Sequence, residues 1–220
     1  MIAYRYSEAG SDWGEIRVRD IATNTDKADV IKWVKFSGSS WLGNGFYYSG
    51  FEAPTEGDEL SAENKFHTVY FHEMGTPQTE DKLVYRDTSD PNLYHGAGVT
   101  EDESHLILYV YQGTDNVDIH FKSTDNLNSD FSPLITGFNS KSDVVDYLNG
   151  KFLVRTDLDA PMNRLVAIDT NNTEKSNWLT ILEEGENYLS SVSTGGGKMF
   201  AQYMVNATTQ ISVMDYDGSN

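Results

Sequence analysis

The serines of this sequence lack the surroundings that a catalytic nucleophile needs. A nucleophile elbow requires Gly-x-Ser-x-Gly at a strained turn between a strand and a helix, and the sequence contains no such string. Ser37, Ser39 and Ser193 fall at predicted strand turns with no helix after them. The glycines before Lys198 also fail as a phosphate loop, because Met199 stands where that loop requires Ser or Thr. We therefore expect no catalytic residue in this chain.

Metal ligation is not favoured either. No pair of histidines has the spacing of a metal site, and we expect strand-edge or surface positions for all five: His67, His72, His95, His105 and His120. Asp169 with Asn171 and Glu174 offers oxygen ligands but lacks the glycine and full spacing of a calcium loop. These three residues are expected to stabilise a turn, so neither a metal nor a cofactor is predicted.

Two close carboxylate pairs leave a glycosidase open as an alternative. Asp115 and Asp118 form one pair, and Asp157 and Asp159 form the other. Catalytic carboxylates of a glycosidase must face one cavity at a set separation. Aspartates beside Gly113, or at the end of a strand, more often cap turns. Turn capping is the favoured interpretation.

A four-strand pattern that recurs about every fifty residues dominates the chain. Its third strand has equivalent positions at Asp20, Glu73, Lys122, Asp169 and Asp215, so successive gaps are 53, 49, 47 and 46 residues. Alternating strands with polar turns at such a period are typical of a β-propeller built blade by blade. No segment has a sustained helical period above ten residues. The predicted class is all-β.

The pattern predicts one propeller fragment over residues 1–220, with three complete four-stranded blades and two part-blades. Tight turns are expected at Asn44-Gly45, Asn149-Gly150 and Gly195–Gly197, where positive φ suits the residue types. The acidic stretch 53–65 is interpreted as a surface insertion. The blade ranges are approximately 1–34, 35–87, 93–138, 142–184 and 188–220.

Composition excludes some partners. Against 16 basic residues there are 34 acidic ones, a formal charge of -18, which repels phosphate backbones and anionic lipids. We therefore expect neither nucleic acid nor a membrane as a partner. The absence of cysteine excludes disulfides and thiolate sites. The start has no signal-peptide pattern, and the compartment stays open between cytoplasm and periplasm.

The chain is expected to be a piece of a larger ring. The first blade lacks a strand before Ile2, and the last lacks a fourth strand after Asp215. An open arc leaves two apolar blade faces bare, and burial contributes about 25 cal/mol per Å². The free energy lost by leaving these faces unburied is comparable with the ~5–15 kcal/mol net stability of a domain. Truncation accounts for this most simply.

Seven strings in register resemble the propeller domain of the prolyl oligopeptidase family of serine peptidases. Any one string is weakly specific, but their order and spacing follow the family across nearly the whole chain. They are Ser7–Asn24, Asp29–Trp41, Asn44–Phe51, Val69–Tyr85, Tyr111–Asp115, Ala160–Thr170 and Asn177–Glu184.

The resemblance implies a fold and a function. It implies a partial, open seven-bladed propeller that gates an α/β-hydrolase domain, which cleaves short peptides after proline with a Ser-Asp-His triad. The implied partners are that C-terminal domain and short proline-containing peptides. The substrate-contacting residues that it implies are Phe36 and Tyr94, and Tyr111 replaces an arginine that some members use. A stand-alone propeller that binds peptides or proteins, without a peptidase, remains the main alternative.

Overall fold

A computed structural model of the protein describes residues 1–8, 11–58 and 63–219. Strands account for 54% of this structure and helices for 4%, in several antiparallel sheets, which confirms the all-β prediction. Eighteen strands in the described residues form five antiparallel sheets, here called blades 1 to 5 in chain order. Blades 1 and 5 have three strands, and blades 2, 3 and 4 have four.

The strands follow each other in chain order within the blades. Blade 1 contains β1 (Ile2–Tyr6), β2 (Gly14–Asp20) and β3 (Thr25–Val34). Blade 2 contains β4 (Ser40–Leu42), β5 (Gly45–Gly50), β6 (Thr68–Glu73) and β7 (Lys82–Tyr85). Blade 3 contains β8 (Tyr94–Val99), β9 (His105–Gln112), β10 (Asn116–Ser123) and β11 (Ser132–Ile135). Blade 4 contains β12 (Ser142–Leu148), β13 (Lys151–Thr156), β14 (Arg164–Asp169) and β15 (Leu179–Leu182). Blade 5 contains β16 (Tyr188–Gly195), β17 (Lys198–Val205) and β18 (Thr208–Met214).

In the part of the chain that the structure describes, three short 3-10 helices accompany the strands. Gln78–Glu80 precedes β7, Thr124–Asn126 follows β10, and Lys175–Asn177 precedes β15. Each is a single turn with no buried residue. They are therefore connections within blades and add nothing to the cores.

Side-chain burial explains why these segments are strands. Buried and half-buried residues alternate along β2, as expected for a strand at a blade surface. All six residues of β5 are buried, and β14 is buried at its four central positions. Inner strands covered on both faces read as short apolar runs. The predicted tight turn at Asn149-Gly150 is present, with φ of 51° and 81°.

The first hairpin turn of blade 2 differs from the prediction by one residue. The turn is Gly43-Asn44, with φ of 56° at Gly43, and Gly45 already belongs to β5. A Cβ at Gly45 would lie 2.3 Å from the carbonyl oxygen of His72. Gly45 is therefore required by close packing inside the sheet rather than by the turn.

The chain divides into two compact units. The first comprises Met1–Val99 and Leu106–Gly113, and the second comprises Thr100–His105 and the chain from Thr114 onward. The core of the first unit lies between blades 1 and 2 and contains Ile16, Val18, Ile31, Val34, Phe46 and Tyr48. The core of the second lies between blades 4 and 5 and contains Leu153, Leu165, Ala167, Leu189, Val192, Met199, Ala201 and Met214.

Candidate substrate-contacting site

Phe36 and Tyr94, the two residues implied by the resemblance, lie together in the first compact unit. Phe36 follows the end of β3, is 69% exposed and has a φ of 51°. Tyr94 is the first residue of β8 and is half-buried. Their rings meet edge to face, with centroids 5.3 Å apart and an interplanar angle of 86°. This is a favourable geometry for two aromatic rings. We call Phe36 and Tyr94 the aromatic pair.

Further aromatic side chains pack against Tyr94, the more buried member of the aromatic pair. The Tyr94 ring lies 6.4 Å from the Phe51 ring and 5.5 Å from the His67 ring. Phe51 contacts His67 at 4.6 Å and Trp13 at 6.0 Å. The sequence analysis did not identify Trp13, Phe51 or His67 as part of a site. These rings hold Tyr94 in place and leave Phe36 as the exposed member of the pair.

A small cavity of about 230 Å³ opens beside Phe36. The residues that line it include the aromatic side chains of Phe36, Tyr109 and Tyr111 and the small residues Gly96 and Ala97. Tyr109 and Tyr111 are stacked, with centroids 6.1 Å apart, and Tyr111 faces Tyr94 across the β8–β9 pair. A cavity lined by aromatic and small residues suits a small apolar side chain. Tyr111, noted from the sequence as a replacement for arginine, is therefore part of the cavity wall.

Three histidines are buried, which corrects the expectation of strand-edge or surface positions. His67, His72 and His95 have exposed fractions of 1%, 0% and 1%, and His105 and His120 are half-buried. Patterns along one strand did not predict this, because residues distant in the sequence contact these rings: Lys35 and His95 contact His67, and Asp29 and Asp81 contact His72. No group of three His, Asp or Glu side chains in residues 1–8, 11–58 and 63–219 is placed to hold a metal ion.

His67 connects the backbones on either side of the aromatic pair. Its Nε2 lies 3.0 Å from the carbonyl oxygen of Lys35, and its Nδ1 accepts the His95 N–H at 3.0 Å. The His95 side chain also contacts His67, because its Nδ1 lies 2.5 Å from the His67 carbonyl oxygen. Burial lowers the pKa of His67 to about 4, so the ring is neutral at pH 7.

His72 lies in a separate buried cluster with two carboxylates. Its Nδ1 is 2.7 Å from Asp81 Oδ1, and its Nε2 is 3.1 Å from Asp29 Oδ1. Asp29 also accepts the Gly75 N–H at 2.5 Å, and the Tyr48 hydroxyl donates to Asp81 at 2.7 Å. Burial by itself lowers the pKa of His72, but hydrogen bonds and charge from Asp81 and Asp29 outweigh burial and raise it. This cluster joins blade 1, through β3, to blade 2.

The carboxylate pairs considered for a glycosidase have structural partners. Asp118 accepts the Phe138 N–H at 2.7 Å and Asp157 accepts the Lys141 N–H at 2.7 Å. Asp115 forms an ion pair with the Lys141 ammonium at 2.7 Å, and Asp159 forms one with Lys175. These contacts agree with turn-capping and strand-end roles rather than with two carboxylates aimed at one sugar.

The other polar candidates also have local roles. Ser37 Oγ donates to the Gly38 carbonyl and accepts the Ser49 N–H, both at 2.7 Å. The Ser37 hydroxyl therefore bonds to backbone groups and not to a catalytic base. Asp169 accepts the Asn171 N–H at 2.9 Å and contacts the Lys151 ammonium at 2.8 Å. These contacts support the prediction that Asp169 stabilises a turn.

Two further predictions from the sequence concern a glycine turn and a surface insertion. Gly196 and Gly197 form the turn between β16 and β17 with φ of 59° and 78°. The insertion predicted at 53–65 contains no strand at 53–58 or 63–65, and its residues 59–62 lie outside the described ones. In the described ranges, no helix is long and apolar enough to cross a membrane.

Successive antiparallel sheets of three or four strands in chain order are the architecture of a β-propeller domain. Residues 1–220 match the family described as the N-terminal β-propeller domain of prolyl oligopeptidase, and the chain belongs to that family. It is 38% identical over 219 residues to the prolyl endopeptidase of Elizabethkingia meningoseptica, covering 99% of this chain and 31% of the relative. It is 28% identical to prolyl oligopeptidase A of Galerina marginata, covering 99% and 32%.

Solved structures agree with this assignment. A structure from an analysis of two prolyl endopeptidases superimposes with a TM-score of 0.86 and 30% identity, covering 99% of this chain and 31% of that one. Prolyl oligopeptidase B from Galerina marginata has the same fold, with a TM-score of 0.84 and 23% identity. The chain spans about a third of the length of these relatives, in agreement with the predicted partial propeller.

Proposed function

We propose that this chain is the substrate-gating propeller segment of a prolyl oligopeptidase-like serine endopeptidase. In this proposal, the Ser-Asp-His triad belongs to a C-terminal α/β-hydrolase domain that packs against the propeller, and the substrates are short proline-containing peptides. The observation that carries it is the family match over residues 1–220, together with the lack of a nucleophile elbow in the sequence. The blades would exclude folded proteins from the active site.

The aromatic pair is the proposed contact with substrate. Phe36 is 69% exposed beside a cavity of about 230 Å³ with aromatic walls. A small apolar side chain of a bound peptide, away from the proline at the cleaved bond, would pack against such a surface. Tyr94 would support Phe36 through the edge-to-face contact and line the same approach.

A chimera provides the main test. Residues 1–220 would replace the matching segment of the Elizabethkingia meningoseptica prolyl endopeptidase, and hydrolysis of a Gly-Pro-linked chromogenic peptide would be measured. We expect turnover by the chimera and none by the isolated 220-residue chain. Turnover by the pure chain alone, or a folded chimera with no activity, would contradict the proposal.

Substrate length tests the gating role separately. We expect the chimera to cleave a short proline-containing peptide and to leave the same sequence intact within a folded protein. Equal rates on both substrates would show that the blades exclude nothing. A Phe36→Ala variant should raise KM while leaving kcat within about twofold, because Phe36 would contact a part of the peptide remote from the bond that is cleaved.

A stand-alone binding module is the second candidate, and the exposed cavity beside Phe36 is the observation that favours it. Such a module would bind a proline-containing peptide without a peptidase domain. Calorimetric titration of the isolated chain, with Phe36→Ala as the control, measures this directly. Tight binding that depends on Phe36, from a cooperative monomer in size-exclusion chromatography, would favour the module over the gate.

A further inference from the structure

The two hydrogen bonds of His67 define its tautomer. The Lys35 carbonyl can only accept, so the Nε2 atom 3.0 Å away carries a hydrogen. The His95 N–H can only donate, so the Nδ1 atom 3.0 Å away carries none. His67 is therefore neutral with its hydrogen on Nε2, and burial, which lowers its pKa to about 4, agrees with this. The ring uses both nitrogens and is 1% exposed.

Each of these bonds holds a peptide group next to one member of the aromatic pair. The Lys35 carbonyl belongs to the planar peptide group that contains the Phe36 nitrogen. The His95 N–H belongs to the peptide group that follows Tyr94. The φ of Phe36 and the ψ of Tyr94 are measured relative to these two planes, so restraining the planes limits the directions in which the two side chains leave the backbone. One side chain thus controls two segments that are 58 residues apart (36 to 94).

The backbone at Phe36 needs such a constraint. Its φ of 51° is in the left-handed region, which costs a non-glycine residue free energy and persists only where surroundings impose it. The Phe36 side chain is 69% exposed, so its own burial supplies little of the restraint. The hydrogen bond from His67 to the Lys35 carbonyl restrains the peptide plane that contains two of the four atoms that define this φ, the Lys35 carbonyl carbon and the Phe36 nitrogen.

The backbone at Tyr94 needs a partner for a different reason. β8 is an edge strand of its sheet, and alternate N–H groups of an edge strand have no strand to bind. His67 Nδ1 accepts one of them, the N–H of His95, and Ser40 Oγ accepts another, the N–H of Val99, at 2.8 Å. The His67 ring also contacts the Tyr94 ring at 5.5 Å.

We propose that His67 is a positioning residue for the aromatic pair. Its neutral ring donates a hydrogen bond to the Lys35–Phe36 peptide group and accepts one from the Tyr94–His95 peptide group. The positioning itself stands on the geometry of this chain. Its consequence for peptide turnover rests on the proposed function, in which the aromatic pair contacts substrate.

The first experiment measures the Phe36 backbone in the isolated chain by NMR. The three-bond coupling between HN and Hα of Phe36 reports its φ. His67→Gln can place an amide NH₂ near the Nε2 position and so keep the donor to Lys35. His67→Asn can place only an oxygen near Nδ1 and loses that donor, and His67→Phe loses both bonds but keeps a ring.

We expect the positive φ of Phe36 to persist in His67→Gln and to be lost in His67→Asn and His67→Phe. His105→Gln, a change in the second compact unit, should leave it unchanged. A positive φ in all three His67 variants would overturn the proposal. If His67→Phe does not fold, the difference between His67→Gln and His67→Asn decides, and equal positive φ values in these two would overturn it.

The second experiment measures KM and kcat of the same variants in the chimera with the Gly-Pro-linked chromogenic peptide. We expect His67→Asn to raise KM up to about tenfold with kcat nearly unchanged, since one aromatic contact is lost, and His67→Gln to restore most of it. An altered Phe36 φ with unchanged KM would overturn the substrate role and leave the positioning intact. An inactive wild-type chimera would contradict the proposed function, while the NMR result would still decide the role of His67.

Discussion

Replacing His72 by phenylalanine tests how the buried Asp29–His72–Asp81 cluster connects blades 1 and 2. In the native chain His72 is 0% exposed and contacts one carboxylate with each ring nitrogen. Phenylalanine would fill most of the volume but leave two buried carboxylates without the imidazolium. Asp29 would keep the Gly75 N–H and Asp81 the Tyr48 hydroxyl, which are neutral donors.

The expected decrease in the free energy of unfolding follows from these remaining partners. Removing one partner of a buried ion pair costs about 3–5 kcal/mol, because the other charge stays buried and uncompensated. Adding Asp29→Asn to His72→Phe should recover about 1 kcal/mol or more, since it removes one of the two buried charges. Lys82→Ala is the matched control. Its ion pair with Glu73 spans 3.7 Å with side chains 69% and 54% exposed, and such a pair contributes below about 1 kcal/mol.

Urea denaturation at pH 7 measures the free energy of unfolding of all four proteins. The pKa of His72 is raised above its ordinary 6.5, so its stabilisation is fully present below pH 6.5 and is lost as the pH rises through the raised pKa. The difference between wild type and His72→Phe should therefore shrink at alkaline pH. A loss for His72→Phe no larger than that for Lys82→Ala, or a loss that grows with pH, would refute this reasoning.

Three further predictions concern other buried and exposed positions. His67 has a folded pKa of about 4 against an ordinary 6.5, so its contribution to stability should fall by about 3 kcal/mol as the pH drops across that window. In acid titrations His67→Gln should remove this contribution and leave that of His95, His105 and His120, whose pKa values burial also lowers. Gly45→Ala should lower the free energy of unfolding by about 1–3 kcal/mol, because its Cβ would meet the His72 carbonyl at 2.3 Å. Gly38→Ala, with no atom within 4 Å, is the control and should change it by less than about 0.5 kcal/mol. Phe36→Ala should leave the melting temperature nearly unchanged, because Phe36 is 69% exposed.

Local patterns in the sequence predicted the architecture because blade structure is encoded locally. Alternating and continuous apolar runs predicted the strands, and the repeat of about fifty residues predicted successive sheets. Asn149-Gly150 predicted its turn because both residues tolerate positive φ, and both have it. The turn predicted at Asn44-Gly45 was wrong by one residue, because Gly45 is required by the packing of β5 rather than by the turn.

The histidines show where local patterns stop being informative. His67 and His72 are five residues apart, and their spacing says nothing about what lies above or below them. Their burial follows from the Lys35 carbonyl, Asp29 and Asp81, which reach them from other strands and loops. An isolated histidine in a polar segment is compatible with either a surface or a buried position.

The sequence by itself therefore determined the fold class, the repeat, the family and the candidate aromatic residues. Only the tertiary structure decided that Phe36 and Tyr94 meet at 5.3 Å and that His67 binds the backbone beside each. Strand patterns depend on neighbours within a few residues, whereas these contacts join segments tens of residues apart. Their geometry is set when blades pack against one another, because packing alone brings the Lys35 carbonyl and the His95 N–H to the two sides of one imidazole ring.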